Sequence, residues 1–150
     1  MRRILPATQR KLPMVVQELS IEGGRAIAEK RIITGKNMHE VSIMEEAVRV
    51  ALDAAKCAGA SRVIGMRLRV GSLSGVVPDA LRFAFDVVCR GTPAEGACLE
   101  IEPVAAASWC PRCRSEFATT DFFNECPRCQ RISGELQRGR EIEIATVETN

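Results

Sequence analysis

Residues 38–71 read MHEVSIMEEAVRVALDAAKCAGASRVIGMRLRVG, and a change of period inside this stretch decides the fold. Met44, Ala47, Val48, Ala51, Leu52 and Ala55 recur at the spacing of one helical face. Ser42 and Glu45 stand at capping-box spacing, so the helix is expected to start at Ser42, with Gly59 ending it. From residue 62 the period drops to two. Val63, Met66, Leu68 and Val70 face one way, and Arg67 and Arg69 face the other, which predicts a half-buried strand over 62–73.

The same two periods return further along the chain. After a turn-rich loop from Gly71 to Gly75, Pro78 suits the first turn of a second helix, striped by Leu81, Ala84, Phe85 and Val88 and ended at Gly91. Residues 97–104 alternate with Leu99 and Ile101 inward, and residues 141–148 form a last strand with Ile142, Ile144 and Val147 buried. The expected class is α+β, with two helices on a three-stranded mixed sheet. A cysteine-rich module at 105–137 is inserted into a domain made of 38–104 and 138–150.

The chain has 150 residues, is 46% hydrophobic and carries a formal net charge of +2. It is long enough for one small domain and an attached module, and apolar enough to bury a core. Its net charge conceals two unlike parts. Residues 1–37 hold eight basic and three acidic residues, and residues 38–150 hold 13 and 16. The first part shows no amphipathic helical pattern and is read as an N-terminal extension, disordered or lying ahead of a native start at Met38. It contains no apolar signal core, and no stretch reaches the roughly 20 apolar residues of a membrane span. The cytoplasm is therefore the expected compartment, where cysteines serve as metal ligands or reduced thiols more often than as disulfides. With one histidine, His39, a two-imidazole zinc protease is excluded, and no Gly-x-Ser-x-Gly elbow supports a serine hydrolase. A plausible base–nucleophile constellation is lacking, and the expectation is a protein that is not an enzyme.

The strongest chemical signal is Cys110-Pro-Arg-Cys113 followed by Cys126-Pro-Arg-Cys129. Two knuckles at this separation bring four thiolates to the corners of a tetrahedron, which Zn(II) accepts readily. Four ligands of one type leave no open position, so the metal is expected to be structural and to supply folding free energy to a module too small for its own core. Two redox pairs are the competing reading. Cys57, Cys89 and Cys98 are isolated and read as small buried hydrophobes. A zinc ribbon also raises the alternative of a nucleic-acid-binding or transcription-associated module. Four arginines and four acidic residues balance within 105–137, which speaks against it. Trp109, Phe117, Phe122 and Phe123 are expected to pack against the knuckles.

His39 lies beside Met38. A terminal amine, an imidazole and deprotonated backbone amides form a planar nitrogen set that suits Ni(II) or Cu(II). Met38-His39-Glu40-Val41-Ser42, the stretch 81–91 (LRFAFDVVCRG), Ala94-Glu95-Gly96 and the paired knuckles together resemble the HypA/HybF hydrogenase nickel-incorporation family. The resemblance covers residues 38 to about 148. It implies a nickel metallochaperone that loads Ni(II) into the large subunit of [NiFe] hydrogenase with the GTPase HypB, and in some members serves urease maturation proteins. It implies Ni(II) ligands from the Met38 amine, the His39 imidazole and amide, and the Glu40 amide. It also implies structural Zn(II) on Cys110, Cys113, Cys126 and Cys129, and a monomer or homodimer that engages neither nucleic acid nor membrane. In that family the Met-His-Glu motif opens the chain, whereas here 37 residues precede it.

Overall fold

The computed structural model describes residues 17–22, 25–32, 39–121, 123–132 and 135–150. The elements run β1 (Gln17–Glu22), β2 (Arg25–Ile32), α1 (Glu40–Cys57), β3 (Val63–Gly71), α2 (Pro78–Cys89), β4 (Cys98–Val104), β5 (Ala107–Cys110), β6 (Ser115–Ala118), β7 (Glu135–Arg138) and β8 (Ile142–Thr149). They form a five-stranded sheet of order β1-β2-β8-β3-β4 and a separate three-stranded sheet of order β6-β5-β7.

The strands expected from sequence are the β8-β3-β4 part of the large sheet. β3 and β4 are parallel, joined through α2, and β8 runs antiparallel to β3, so the sheet is mixed. The two helices pack against each other, α1 also against β8, β3 and β2, and α2 against β4. Phe85, Ile43, Met44, Leu68, Leu81, Ile142 and Ile144 are fully buried in the core between these layers. Alanines at 47, 51, 54 and 55 are buried along α1 and let it lie close to its neighbours. The opposite face of the sheet carries cross-strand ion pairs, Arg67 to Glu100 at 3.0 Å, and Arg69 to Glu102 at 3.6 Å and to Glu143 at 3.5 Å. This explains the strict alternation of β4, which has helices on one side and water on the other.

Two irregularities account for broken alternation. In β8, Ile142 and Ile144 share a face with Val147, an odd step away. The β3–β8 register steps from Arg67↔Thr146 to Leu68↔Ile144, and that extra residue returns Val147 to the core. A second shift between Val63 and Gly65 does the same for Val63 and Met66, both buried.

Two expectations are corrected. Helix α1 begins at Glu40, with His39 in the N-cap position and no side-chain capping bond. The first helical bond runs from the Ile43 N–H to the His39 carbonyl at 3.2 Å. Ser42 is therefore an exposed residue of the first turn and forms no capping box, while Glu40 supplies the acidic group that the positive helix end favours. Second, Cys57 and Cys98 are exposed, because each falls on the outer face at an element end; of the three isolated cysteines only Cys89 is buried. Burial, and then the charge of Asp86, push Cys89 up to about 11, so it stays protonated. The expected three-stranded mixed sheet is present, and two further strands extend it at the β8 edge. Residues 17–22 and 25–32 of the extension are an antiparallel hairpin whose second strand pairs with β8, Arg25 opposite Glu148 and Arg31 opposite Glu143. The rest of the extension lies outside the described residues. No helix among the described residues is long and apolar enough to cross a membrane.

The two sheets meet at a tight joint. Leu73 N–H donates to the Gly139 carbonyl at 2.6 Å, Gly71 N–H to the Glu141 carbonyl at 2.8 Å and Ser72 N–H to the Val104 carbonyl at 2.9 Å. The Ser72 hydroxyl accepts the Ala106 N–H at 3.0 Å. A Cβ on Gly71 would run into the Gly139 carbonyl, and one on Gly139, which sits at φ +117°, would run into Ala106. Burial works against ionisation of Glu141, but the N–H groups of Glu141, Gly139 and Arg140, with Arg69 nearby, hold its carboxyl below the ordinary range.

Candidate metal centre

Each knuckle is built by a local turn that sequence anticipates only through its cysteines. Cys110 ends β5, and the chain turns through residues 111–114 into β6. Arg114, directly after Cys113, takes φ 50°, and Gln130, directly after Cys129, takes φ 58°. These left-handed residues curl the chain back over the thiols. The second knuckle is closed by Cys126 N–H to the Arg131 carbonyl at 2.9 Å and Gln130 N–H to the Cys126 carbonyl at 2.8 Å, with Glu125 bridged to Ile132.

The four Sγ atoms lie within 4.8 Å of one another. Cys110 and Cys129 approach to 3.6 Å, and Cys126 and Cys113 to 3.9 Å. A tetrahedron of sulfurs about 2.3 Å from Zn(II) has an edge of about 3.8 Å, so the donor set fits that ion without rearrangement. Both spacings are far beyond a covalent S–S bond, and all four cysteines are free thiols. One cluster with donors from both knuckles also disposes of two independent redox pairs. Cys110 and Cys126 are buried against Phe117, while Cys113 and Cys129 are half-exposed.

The thiols are not equivalent. The N–H groups of Cys129 and Arg128 point at Cys126; the Cys129 N–H contributes most and, despite burial, the thiol is lowered to about 7. Hydrogen bonding to the Cys129 thiol, then burial, push Cys113 up to about 12. The cluster therefore starts from one readily formed thiolate, and a metal ion must displace the proton of Cys113.

Behind the metal end, sequence reasoning missed what fastens the small sheet. Thr119 donates to the Ser108 hydroxyl at 2.8 Å, both buried, and Arg138 forks onto the Glu116 carboxylate with two bonds of 2.7 Å. Of the expected aromatic packing, only Phe117 is buried. Trp109 and Phe123 are exposed, and Phe122 lies outside the described residues.

The second group of candidate residues sits at the entry to α1. His39 is exposed and Glu40 half-buried on consecutive positions, and Met38 lies outside the described residues. His39 and Glu40 precede the first intrahelical bond, so their N–H groups have no helical acceptor to lose.

Comparison with known proteins identifies the family. The profile of the family described as "Hydrogenase/urease nickel incorporation, metallochaperone, hypA" matches residues 38–149. The chain belongs to this HypA family. Hydrogenase maturation factor HypA of Chloroflexus aurantiacus (strain J-10-fl) is 46% identical over 113 residues, which is 75% of this chain and 99% of that protein. The HypA of Picosynechococcus sp. is 44% identical over 111 residues, 74% of this chain and 98% of that one. Among solved structures, a HypA solution structure superposes with a TM-score of 0.60 at 19% identity, over 76% of this chain and 98% of the other. The Ni metallochaperone HypA of Helicobacter pylori does so with a TM-score of 0.56 at 18% identity, over 75% and 97%. These two establish the shared fold. HypA proteins are metal carriers and not catalysts, and a closed four-thiolate set agrees with that.

Proposed function

We propose that the chain carries Ni(II) at residues 38–40 and hands it to the large subunit of [NiFe] hydrogenase, with the GTPase HypB as partner and urease maturation proteins as further clients. The observation that carries this reading is the family match, which begins at Met38, the residue before the exposed His39. In this reading Met38 is the working N-terminus. Its amine, with a proton of pKa near 8, binds metal far more readily than a peptide nitrogen. The His39 imidazole and the unclaimed amides of His39 and Glu40 complete a planar nitrogen set, and none of them costs the helix a bond. His39 is exposed, so nickel held by it stays reachable for ligand exchange.

Division of labour follows. Residues 38–104 with 138–150 carry nickel, and 105–137 carry structural zinc on Cys110, Cys113, Cys126 and Cys129. The setting is the cytoplasm, and the protein acts as a monomer or homodimer. The test is nickel titration, with metal analysis, of a chain beginning at Met38, the full chain and His39→Ala. The expected result is nickel binding by the Met38 form, lost in His39→Ala with zinc content unchanged. Undiminished nickel affinity in His39→Ala rules out this site.

A further inference from the structure

The neutral composition of residues 105–137 hides a polar arrangement. Of its acidic groups, Glu116 is held by both arms of Arg138, and Asp121 is turned onto its own loop, accepting the Phe123 N–H at 3.0 Å. Glu135 lies on β7 opposite Trp109, and Glu125, exposed beside Cys126, is the acidic group that lies among the knuckle residues. The arginines are placed differently. Arg112 and Arg114 flank Cys113, Arg128 precedes Cys129, and the Arg131 carbonyl holds the second knuckle closed. All four are exposed, and none has a carboxylate partner among the described residues. Since the four thiols sit within 4.8 Å of one another, these cations share one end of the ribbon. The same end carries two of the most exposed large apolar side chains, Phe123 at 71% and Ile132 at 73%. The bridge between Ile132 and Glu125 sets them near each other.

We infer that Arg112, Arg114, Arg128 and Arg131, with Phe123 and Ile132, form a docking face for an acidic, leucine-bearing segment of a partner protein. Guanidinium groups take carboxylates in forked pairs, and bare aliphatic and aromatic side chains gain by meeting apolar ones. Nucleic acid fits less well. Ile132 offers a base nothing to stack on, and residues 38–150 have an excess of three acidic groups that repels a long phosphate backbone. The face shares no residue with the nickel ligands, so this inference stands or falls separately from the nickel reading.

The experiment uses the zinc-loaded full chain and two fluorescein-labelled probes, a synthetic peptide of glutamates with interspersed leucines and a random-sequence single-stranded DNA. Anisotropy is followed across salt concentration. Saturable peptide binding is expected, weakened about tenfold in Arg112→Gln/Arg128→Gln, a loss of about 1.4 kcal/mol. Ile132→Ser should weaken it severalfold and Arg90→Gln should leave it unchanged, with zinc content and nickel titration unaltered throughout. Backbone amide shifts in the unmutated chain should move within 111–132 on peptide addition, a readout that needs no variant to fold. Tighter binding of the DNA, equal loss in Arg90→Gln, shifts located elsewhere, or no saturable binding of the peptide would each overturn the inference.

Discussion

Gly71→Ala tests the joint between the two sheets. In an ordinary strand this change is mildly stabilising, by about 0.4–1 kcal/mol, because it restricts the unfolded chain. Here a Cβ would overlap the Gly139 carbonyl, and the Arg140 nitrogen would lie 2.6 Å from it. The obstacle is backbone, which has no rotamer to swing away. Relief requires parting the end of β3 from residues 139–141, which threatens the Gly71–Glu141 and Leu73–Gly139 hydrogen bonds of 2.8 and 2.6 Å. Overpacking costs about 1–3 kcal/mol and each strained bond about 1 kcal/mol, so a net loss of about 3 kcal/mol is expected. At about 4 °C per kcal/mol the melting temperature should fall by about 12 °C. The control is Gly65→Ala on the same strand, where the nearest atom is Glu148 Oε2 at 3.1 Å, the end of a side chain that can move. Calorimetry of the two variants gives the comparison. If Gly71→Ala melts no lower than Gly65→Ala, the close packing of the joint is wrong.

Cys126→Ser removes the thiol that the Cys129 and Arg128 N–H groups favour as thiolate, and should abolish stoichiometric zinc and melt the small sheet, while amide shifts of α1, β3 and α2 stay in place; zinc analysis and amide spectra check both halves. Glu116 is held below its ordinary range, chiefly by hydrogen bonding to Arg138. Its stabilisation is therefore present above the unfolded carboxyl pKa of about 4.3 and lost as pH falls through the lower folded value. Glu116→Gln should flatten the acid limb of the pH–stability curve slightly, since the pair is exposed. Ser42→Ala should leave thermal stability unchanged, against a loss of about 1 kcal/mol if the serine capped the helix.

Periodicity made the core legible. Met44, Ala47 and Val48 on α1, and Leu68 and Val70 on β3, are buried where spacing placed them, and all four knuckle cysteines converge. What escaped was decided by tertiary contact. Ser42 has capping chemistry, but the N-cap falls three residues earlier, at His39. The hairpin over 17–32 shows no clear period and acquires its pairing from β8, more than a hundred residues away. Gly71 and Gly139 look like loop glycines until the two sheets are brought together. The ribbon's charge balance was legible as a sum, but its segregation depends on which carboxylates Arg138 and the local backbone engage.

The position of the ribbon between β4 and β8 has a kinetic consequence. β3 lies between β4 and β8 in the large sheet, yet β8 is the last strand to be synthesised. A nascent chain that has completed β4 must add another 45 residues to reach Thr149. At 5–20 residues per second this leaves an apolar strand with one open edge for about 2–9 s. The ribbon spans that interval. Folded around its metal it brings residues 104 and 142 together as a short connection, and without metal it is a long loop whose closure β8 must bear. Metal supply during translation thus governs how long the nascent sheet is exposed to aggregation.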